Sequence, residues 1–159
     1  MRAEAVAQEI RVRLAAAEDL PQVEALYEAW KYAGRVAPGD TIVVADRKGE
    51  VVGVLRLVPE QGTTVLRGMR VQPTFQGQGV GSRMLELADR LIGPRECYCL
   101  AYAHLREFYG RIGFKACAEG PAFLNARIAG YRNRRDGEEY VMLRRENSAV
   151  SSRGPGQRT

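Results

Sequence analysis

Residues 76–82 read Gln-Gly-Gln-Gly-Val-Gly-Ser, with glycines at 77, 79 and 81, after a β-rich stretch and before an amphipathic one. Glycine has no β-carbon and tolerates positive φ, so a ligand can approach the main chain closely at such a turn. A helix beginning here leaves its first N–H groups without an internal partner, at the positive end of its dipole. A diphosphate is the natural ligand for that arrangement. The Walker pattern does not fit, because it requires Lys-Ser/Thr after the last glycine and Gly81 is followed by Ser82 and Arg83. The dinucleotide fingerprint G-x-G-x-x-G is missed too, the spacing here being G-x-G-x-G. Its acidic ribose-binding residue, expected about 20 residues on, has only Glu96 to represent it. Taken alone, the segment reads either as an anion site at a helix start or as a tight turn and nothing more.

A second motif lies downstream, Phe108-Tyr109-Gly110-Arg111-Ile112-Gly113-Phe114. Together with Gln76-x-x-Gly79-x-Gly81 it resembles the GNAT superfamily of N-acetyltransferases. Arg13-Leu14-Ala15 followed by Asp19-Leu20-Pro21 is similar to that family's first strand and helix start, and Val71-x-Pro73 to the end of its fourth strand. The likeness in element order runs from Arg11 to Phe114, with less specific agreement to Arg145.

The resemblance implies an acetyl-CoA-dependent N-acetyltransferase moving an acetyl group directly to a primary amine, on a small molecule or a protein. A non-catalytic coenzyme A-binding or sensor domain of the same fold is the alternative. In the family the fourth and fifth strands splay apart and receive the pantetheine arm. Main-chain groups of Met69 and Val71 would then pair with the arm. The pyrophosphate would rest on Gln76, Gly77, Gln78, Gly79, Val80, Gly81 and Ser82. Tyr109 matches the family's general acid; a tyrosine with an ordinary pKa near 10 is protonated at neutral pH and can supply the departing thiolate. Its other reading is a core aromatic beside Phe108.

The attacking amine must also lose a proton. Many relatives carry a glutamate on the fourth strand for this, but 63–71 holds Arg67 and Arg70 and no carboxylate. The remaining candidates are Glu60, Glu107 and His104, of which His104 has the suitable intrinsic pKa, about 6.5. Arg67 and Arg70 fall near the implied acetyl site and suit an acidic acceptor. The loop 31–40, which in the family shapes the acceptor pocket, contributes Tyr32 and Arg35, and Trp30 stands beside it.

The elements that must hold these residues can be read from periodicity. Alternation predicts a strand over 10–14, and Asp19 and Pro21 mark a helix whose apolar residues recur to Ala33, with Gly34 to end it. Strands over 41–45 and 51–58 flank the turn 46–49, which predicts a hairpin. A strand over 63–71 leads into the glycine turn and a helix over 79–92. A strand over 96–101, a short helix over 105–112 closed by Gly113, and a strand over 114–118 follow. Residues 121–131 are helical or irregular, and 140–143 form a closing strand. The fold class is α/β (α+β): a mixed, mainly antiparallel, splayed sheet of about six to seven strands with about four helices.

The chain has 159 residues, the size of one domain, here 1–146, with a polar tail over 147–159 whose composition predicts disorder. No apolar run reaches the length of a membrane span and the first residues lack a signal-peptide core, so a cytoplasmic location is expected. Cys97, Cys99 and Cys117 lack metal or redox spacing, and His104 is the only histidine, so no metal is expected. The net charge of +5 suits a polyanion, yet the arginines are dispersed and no nucleic-acid-binding motif is present. The expected partners are coenzyme A and an amine substrate, with no membrane or nucleic acid. Edge strands near the C-terminus allow a homodimer.

Overall fold

The structure, a computed structural model, describes residues 9–147. Its elements are β1 (Ile10–Leu14), α1 (Leu20–Ala29), β2 (Thr41–Arg47), β3 (Glu50–Glu60), β4 (Thr63–Val71), α2 (Val80–Ile92), β5 (Cys97–Tyr102), α3 (Arg106–Gly110), β6 (Lys115–Ala116), α4 (Ala122–Arg132) and β7 (Tyr140–Arg145). The strands hydrogen-bond in the order β1-β2-β3-β4-β5-β7-β6. The pair β4–β5 is parallel, whereas β1–β2, β2–β3, β5–β7 and β6–β7 are antiparallel. This is the mixed, mainly antiparallel α/β sheet expected. Residues 148–159 of the anticipated tail lie outside the described residues. Two compact units divide the chain, Met1–Pro59 with Arg67–Leu91, and Glu60–Leu66 with Ile92–Thr159, so that β4 contributes to both.

In the first unit, residues 51–58 of β3 are buried without interruption, as befits a strand covered on both faces. The β2–β3 connection is a two-residue turn with Lys48 at φ 54° and Gly49 at φ 90°. Two positive φ values match the right-handed strand twist, which is why such turns favour tight hairpins. A bulge at Ala45/Asp46 lets both strands run further toward the turn than the alternation predicts. Against one face, Val23 and Tyr27 of α1 pack on Ile42, Val44, Val51 and Val54. Each fully buried aliphatic side chain contributes about 1.5–3 kcal/mol. Helix α2 buries Val80, Met84, Leu85, Ala88 and Ile92, and Leu91 is half-buried.

Helix α1 stops four residues short of the expected end at Ala33, since Ala29 is its last residue. Lys31 adopts φ 57°, its N–H donates to the Glu28 carbonyl, and the Tyr32 N–H donates to the Tyr27 carbonyl at 2.9 Å. This is a Schellman ending with lysine in the left-handed position that glycine usually takes. The associated apolar contact is the Tyr27–Tyr32 ring pair, with centroids 4.8 Å apart. Tertiary packing outweighs the roughly 1 kcal/mol cost of a left-handed non-glycine residue. Gly34 has a different use: a β-carbon there would lie 2.6 Å from the Tyr32 ring.

Asp19 occupies the N-cap position of α1 but makes no capping hydrogen bond. Its carboxylate instead accepts from the Ala16 N–H at 2.6 Å and forms a two-point pair with Arg13 at 2.8 and 3.1 Å. Arg13 also donates to the fully buried Asp46 at 2.6 Å, and Arg11 reaches the same carboxylate at 3.1 Å.

In the second unit, Tyr98 of β5 packs with Val65, Leu124, Ile128 and Met142. The helical alternative for 121–131 is the one realised, as α4. The expected strand 114–118 contracts to the two residues of β6, and the expected helix 105–112 divides into a 3-10 turn, Ala103–Leu105, and α3. Gly113, at φ 99°, closes that segment as anticipated.

Candidate acyl-carrier and acceptor site

After β4 the chain enters a 3-10 turn, Pro73–Phe75, anchored by buried Phe75. Gly77 and Gly79 then take φ 78° and 83°, and a β-carbon on either would meet nothing within 4 Å. These two glycines therefore serve backbone conformation and an open outer surface. Gly81 lies within α2 and is not among the positive-φ residues. The first bond of the α2 ladder runs from the Arg83 N–H to the Gly79 carbonyl at 3.1 Å. The Val80 and Gly81 amides precede it, in the turn where helix N–H groups lack internal acceptors. The Gln76 N–H donates to Pro73 at 3.2 Å.

Both glutamine side chains brace the turn. Gln76 Nε2 donates to the Val71 carbonyl at 2.8 Å, which ties the turn to the end of β4, and Gln78 Nε2 donates to Thr74 at 3.1 Å. Gln78 Oε1 is buried without a partner, a state that costs free energy until a donor is supplied. The open outer surface and the helix start are an arrangement that suits an anion, whereas Gln78 Oε1, itself an acceptor, does not serve one.

The parallel ladder between β4 and β5 has two registered pairs, Val65↔Tyr98 and Leu66↔Cys99. Beyond them β4 continues to Val71, through the Met69 and Val71 positions singled out above. Gly68 interrupts β4 with φ 68°, and its carbonyl accepts from the Tyr27 hydroxyl at 2.8 Å. Burial pushes the Tyr27 hydroxyl up to about 12, so it remains a donor at any physiological pH.

Around Tyr27 stands a cluster that the sequence reading reached only in part. Arg56 of β3 is 1% exposed; it pairs with Asp40 at 2.7 Å and donates to the Arg35 carbonyl at 2.8 Å. Its guanidinium lies 5.4 Å from the Tyr27 ring and 5.9 Å from the Tyr32 ring. Its Nε has no partner. Arg70 sits over the Tyr32 ring at 5.6 Å and donates to its neighbour Met69's carbonyl at 3.0 Å. The structure thus brings Tyr32, Arg70 and the Arg35 backbone together, while Arg67 is half-buried on β4. Trp30 packs edge-on to Tyr27, 6.5 Å away. Arg56 and Asp40 were absent from the predicted set. The available signal was an arginine inside the apolar run Val-Val-Gly-Val-Leu-Arg-Leu-Val, since a charge buried there demands a partner. The loop 36–40 also walls a cavity of about 400 Å³, with Ala15, Leu20, Val36, Pro38 and Ile42 in its lining.

In the second unit, Tyr109 on α3 is 4% exposed, with the rings of Phe108 and Phe114 at 5.1 and 6.0 Å. The Cys99 thiol in the same unit is held above the usual range by burial first, and then by the neighbouring Cys97. Cys97 is likewise pushed up to about 12 by burial. His104 is exposed in its 3-10 turn, stacked on Tyr102 with centroids 5.6 Å apart. Glu60 is occupied by Arg127 at 2.6 Å, and Glu107 lies exposed in the first turn of α3.

A sequence model of the acetyltransferase (GNAT) domain matches residues 38–116, which include β4, the glycine turn and Tyr109. The chain belongs to the GNAT superfamily of acetyltransferases. The GNAT fold is matched by Escherichia coli ElaA, with a TM-score of 0.64 and 18% identity over 86% of this chain and 99% of that one. It is matched as well by N-acetylglutamate synthase from Neisseria gonorrhoeae, solved with coenzyme A and N-acetyl-glutamate, with a TM-score of 0.62 and 21% identity. That likeness covers 87% of this chain and 35% of the synthase. Over 97 residues this chain is also 30% identical to a Synechococcus protein named large ribosomal subunit protein uL24, across 57% of this chain and 70% of that protein. The ribosomal name describes that relative; the domain model over residues 38–116 places this chain in the GNAT superfamily. No helix among its described residues is long and apolar enough to cross a membrane.

Proposed function

We propose that this GNAT protein is an acetyl-CoA-dependent N-acetyltransferase acting on a primary amine. The observation that carries the reading is the Gly77–Gly79 cradle, two positive-φ glycines with open space outside them, delivering the chain into α2. Amides from Gly77 to Ser82 hold the pyrophosphate, the Gln76 N–H being spent on Pro73, and the main chain at Met69 and Val71 pairs with the pantetheine arm. Acetyl-CoA supplies an acyl carbon activated as a thioester. Tyr109 gives a proton to the departing sulfur, which its high intrinsic pKa permits at neutral pH. His104, exposed in its 3-10 turn, accepts the proton that the amine nitrogen loses as its bond to the acyl carbon forms. Tyr32, Arg35, Arg67 and Arg70 face the acceptor.

Thiol release from acetyl-CoA, measured with a panel of amines, tests the reading. The wild-type protein is expected to turn over at least one amine. Tyr109→Phe is expected to lose about 100-fold or more in kcat while coenzyme A affinity, by calorimetry, stays within a few-fold. Unchanged turnover in Tyr109→Phe removes the acid role. Coenzyme A binding without turnover of any amine would instead make the chain a sensor domain.

A further inference from the structure

The cluster around Tyr32 contains two cations, Arg56 and Arg70, and one carboxylate, Asp40, with Arg35 joined to it through its backbone carbonyl. That carboxylate is fully committed: Asp40 Oδ2 takes Arg56 at 2.7 Å and the Ala37 N–H at 3.0 Å, and the side chains of the pair are 1% and 2% exposed. Arg56 and Asp40 are therefore a neutral unit that backs one side of Tyr32. Arg70 differs. It is half-buried on β4, spends one hydrogen bond on Met69 and rests on Tyr32, and no carboxylate among the described residues pairs with it. Arg35 is exposed, and only its carbonyl is engaged. A guanidinium placed over an aromatic ring, with donors unspent and partial burial raising its interaction strength, suits a planar oxyanion.

We infer that the acceptor is an acidic amine, one carrying a carboxylate, and that Arg70, seated on Tyr32, is the residue that selects it. This rests on the transferase reading above, and it narrows that reading's substrate class. Arg70 adjoins Met69, where the carrier's arm is proposed to pair, so an acceptor carboxylate held by Arg70 keeps its amine close to the acyl group. Tyr32 owes its place under Arg70 to the Schellman ending of α1 and to the Arg56–Asp40 pair behind it.

The test uses the full chain with saturating acetyl-CoA and matched acceptors: L-amino acids against their amides, O-phosphoethanolamine against ethanolamine, and spermidine. At least one amino acid is expected to exceed its amide tenfold in kcat/KM. Arg70→Gln is expected to abolish that preference by raising the acceptor KM, with the acetyl-CoA KM within twofold. Amides or spermidine as the better acceptors, or a preference that survives Arg70→Gln, overturns the inference while leaving the transferase intact. A preference confined to O-phosphoethanolamine also overturns it, in favour of a phosphate. If no amine turns over, glutarate is titrated into the coenzyme A-saturated protein. Binding weakened tenfold by Arg70→Gln keeps the carboxylate site and discards the transferase; no binding discards the site.

Discussion

The Tyr27 hydroxyl donates to the carbonyl of Gly68 at 2.8 Å, joining the first helix to the one residue of β4 that leaves the strand conformation, at φ 68°. A β-carbon on Gly68 would collide with that same tyrosine. Tyr27→Phe should therefore destabilise the protein by about 1–3 kcal/mol, the cost of a buried carbonyl left unpaired. Gly68→Ala should cost more, because positive φ and the collision act together. Denaturant unfolding of both variants checks the order, and an Ala variant as stable as wild type would contradict the packing described.

Arg56 and Asp40 should be coupled. Removing either partner of a buried ion pair typically costs about 3–5 kcal/mol, since the other charge remains buried. Arg56→Met and Asp40→Asn together should cost clearly less than the sum of the single substitutions. A double-mutant cycle measures the difference, and additivity would mean that the pair does not hold the loop.

The Arg11–Arg13–Asp19–Asp46 network should make stability acid-sensitive. Arg13 pairing holds Asp19 below its usual value, and for Asp46 the opposing effect of burial is outweighed by bonds from Arg13, the Gly49 N–H and Arg11. Both carboxylates therefore contribute stability that is fully present above an unfolded pKa of about 4 and is lost as pH falls through their lower folded values. Arg13, with its pKa raised, remains charged throughout and adds no pH dependence. Unfolding free energies measured from pH 7 down to about 2.5 should fall below pH 4, and Asp46→Asn should flatten the curve.

Gly79→Ala should separate strain from binding. The added methyl meets nothing within 4 Å, so its stability cost is the positive φ of 83° alone, about 1–2 kcal/mol. Coenzyme A affinity should drop tenfold or more, because the methyl projects where the phosphates are proposed to lie. Calorimetry and a melting curve on one preparation give both numbers.

The thiols should be quiet in the native state. Cys97 and Cys99 are buried with raised pKa values, and Cys117 is half-buried and also raised. A thiol reagent at pH 7.5 should modify Cys97 and Cys99 only on unfolding, with Cys117 reacting slowly before them. Rapid native modification of Cys99 would be inconsistent with its burial.

Local chemistry was readable wherever its cause is local. The strands at 10–14 and 63–71, the hairpin turn ending in Gly49, the glycine turn before α2 and the closing role of Gly113 follow from residue type and spacing, because backbone conformation and periodicity depend on near neighbours. Other features depend on which distant segments meet. Lys31 rather than Gly34 ends α1 because Tyr32 has Tyr27 to pack on, a contact worth more than the glycine preference. Asp19 forgoes its cap because Arg13 and Ala16 are within reach. Arg56 is a bound, neutralised cation only because the loop returns Asp40 to it, whereas Arg70, an arginine equally plain in the sequence, pairs with no carboxylate among the described residues. The sequence by itself determined the family, the strand–turn–helix with its glycine turn and the identity of the charges; tertiary structure decided which of those charges cancel, since Coulomb energies are set by distances between segments that no local pattern encodes.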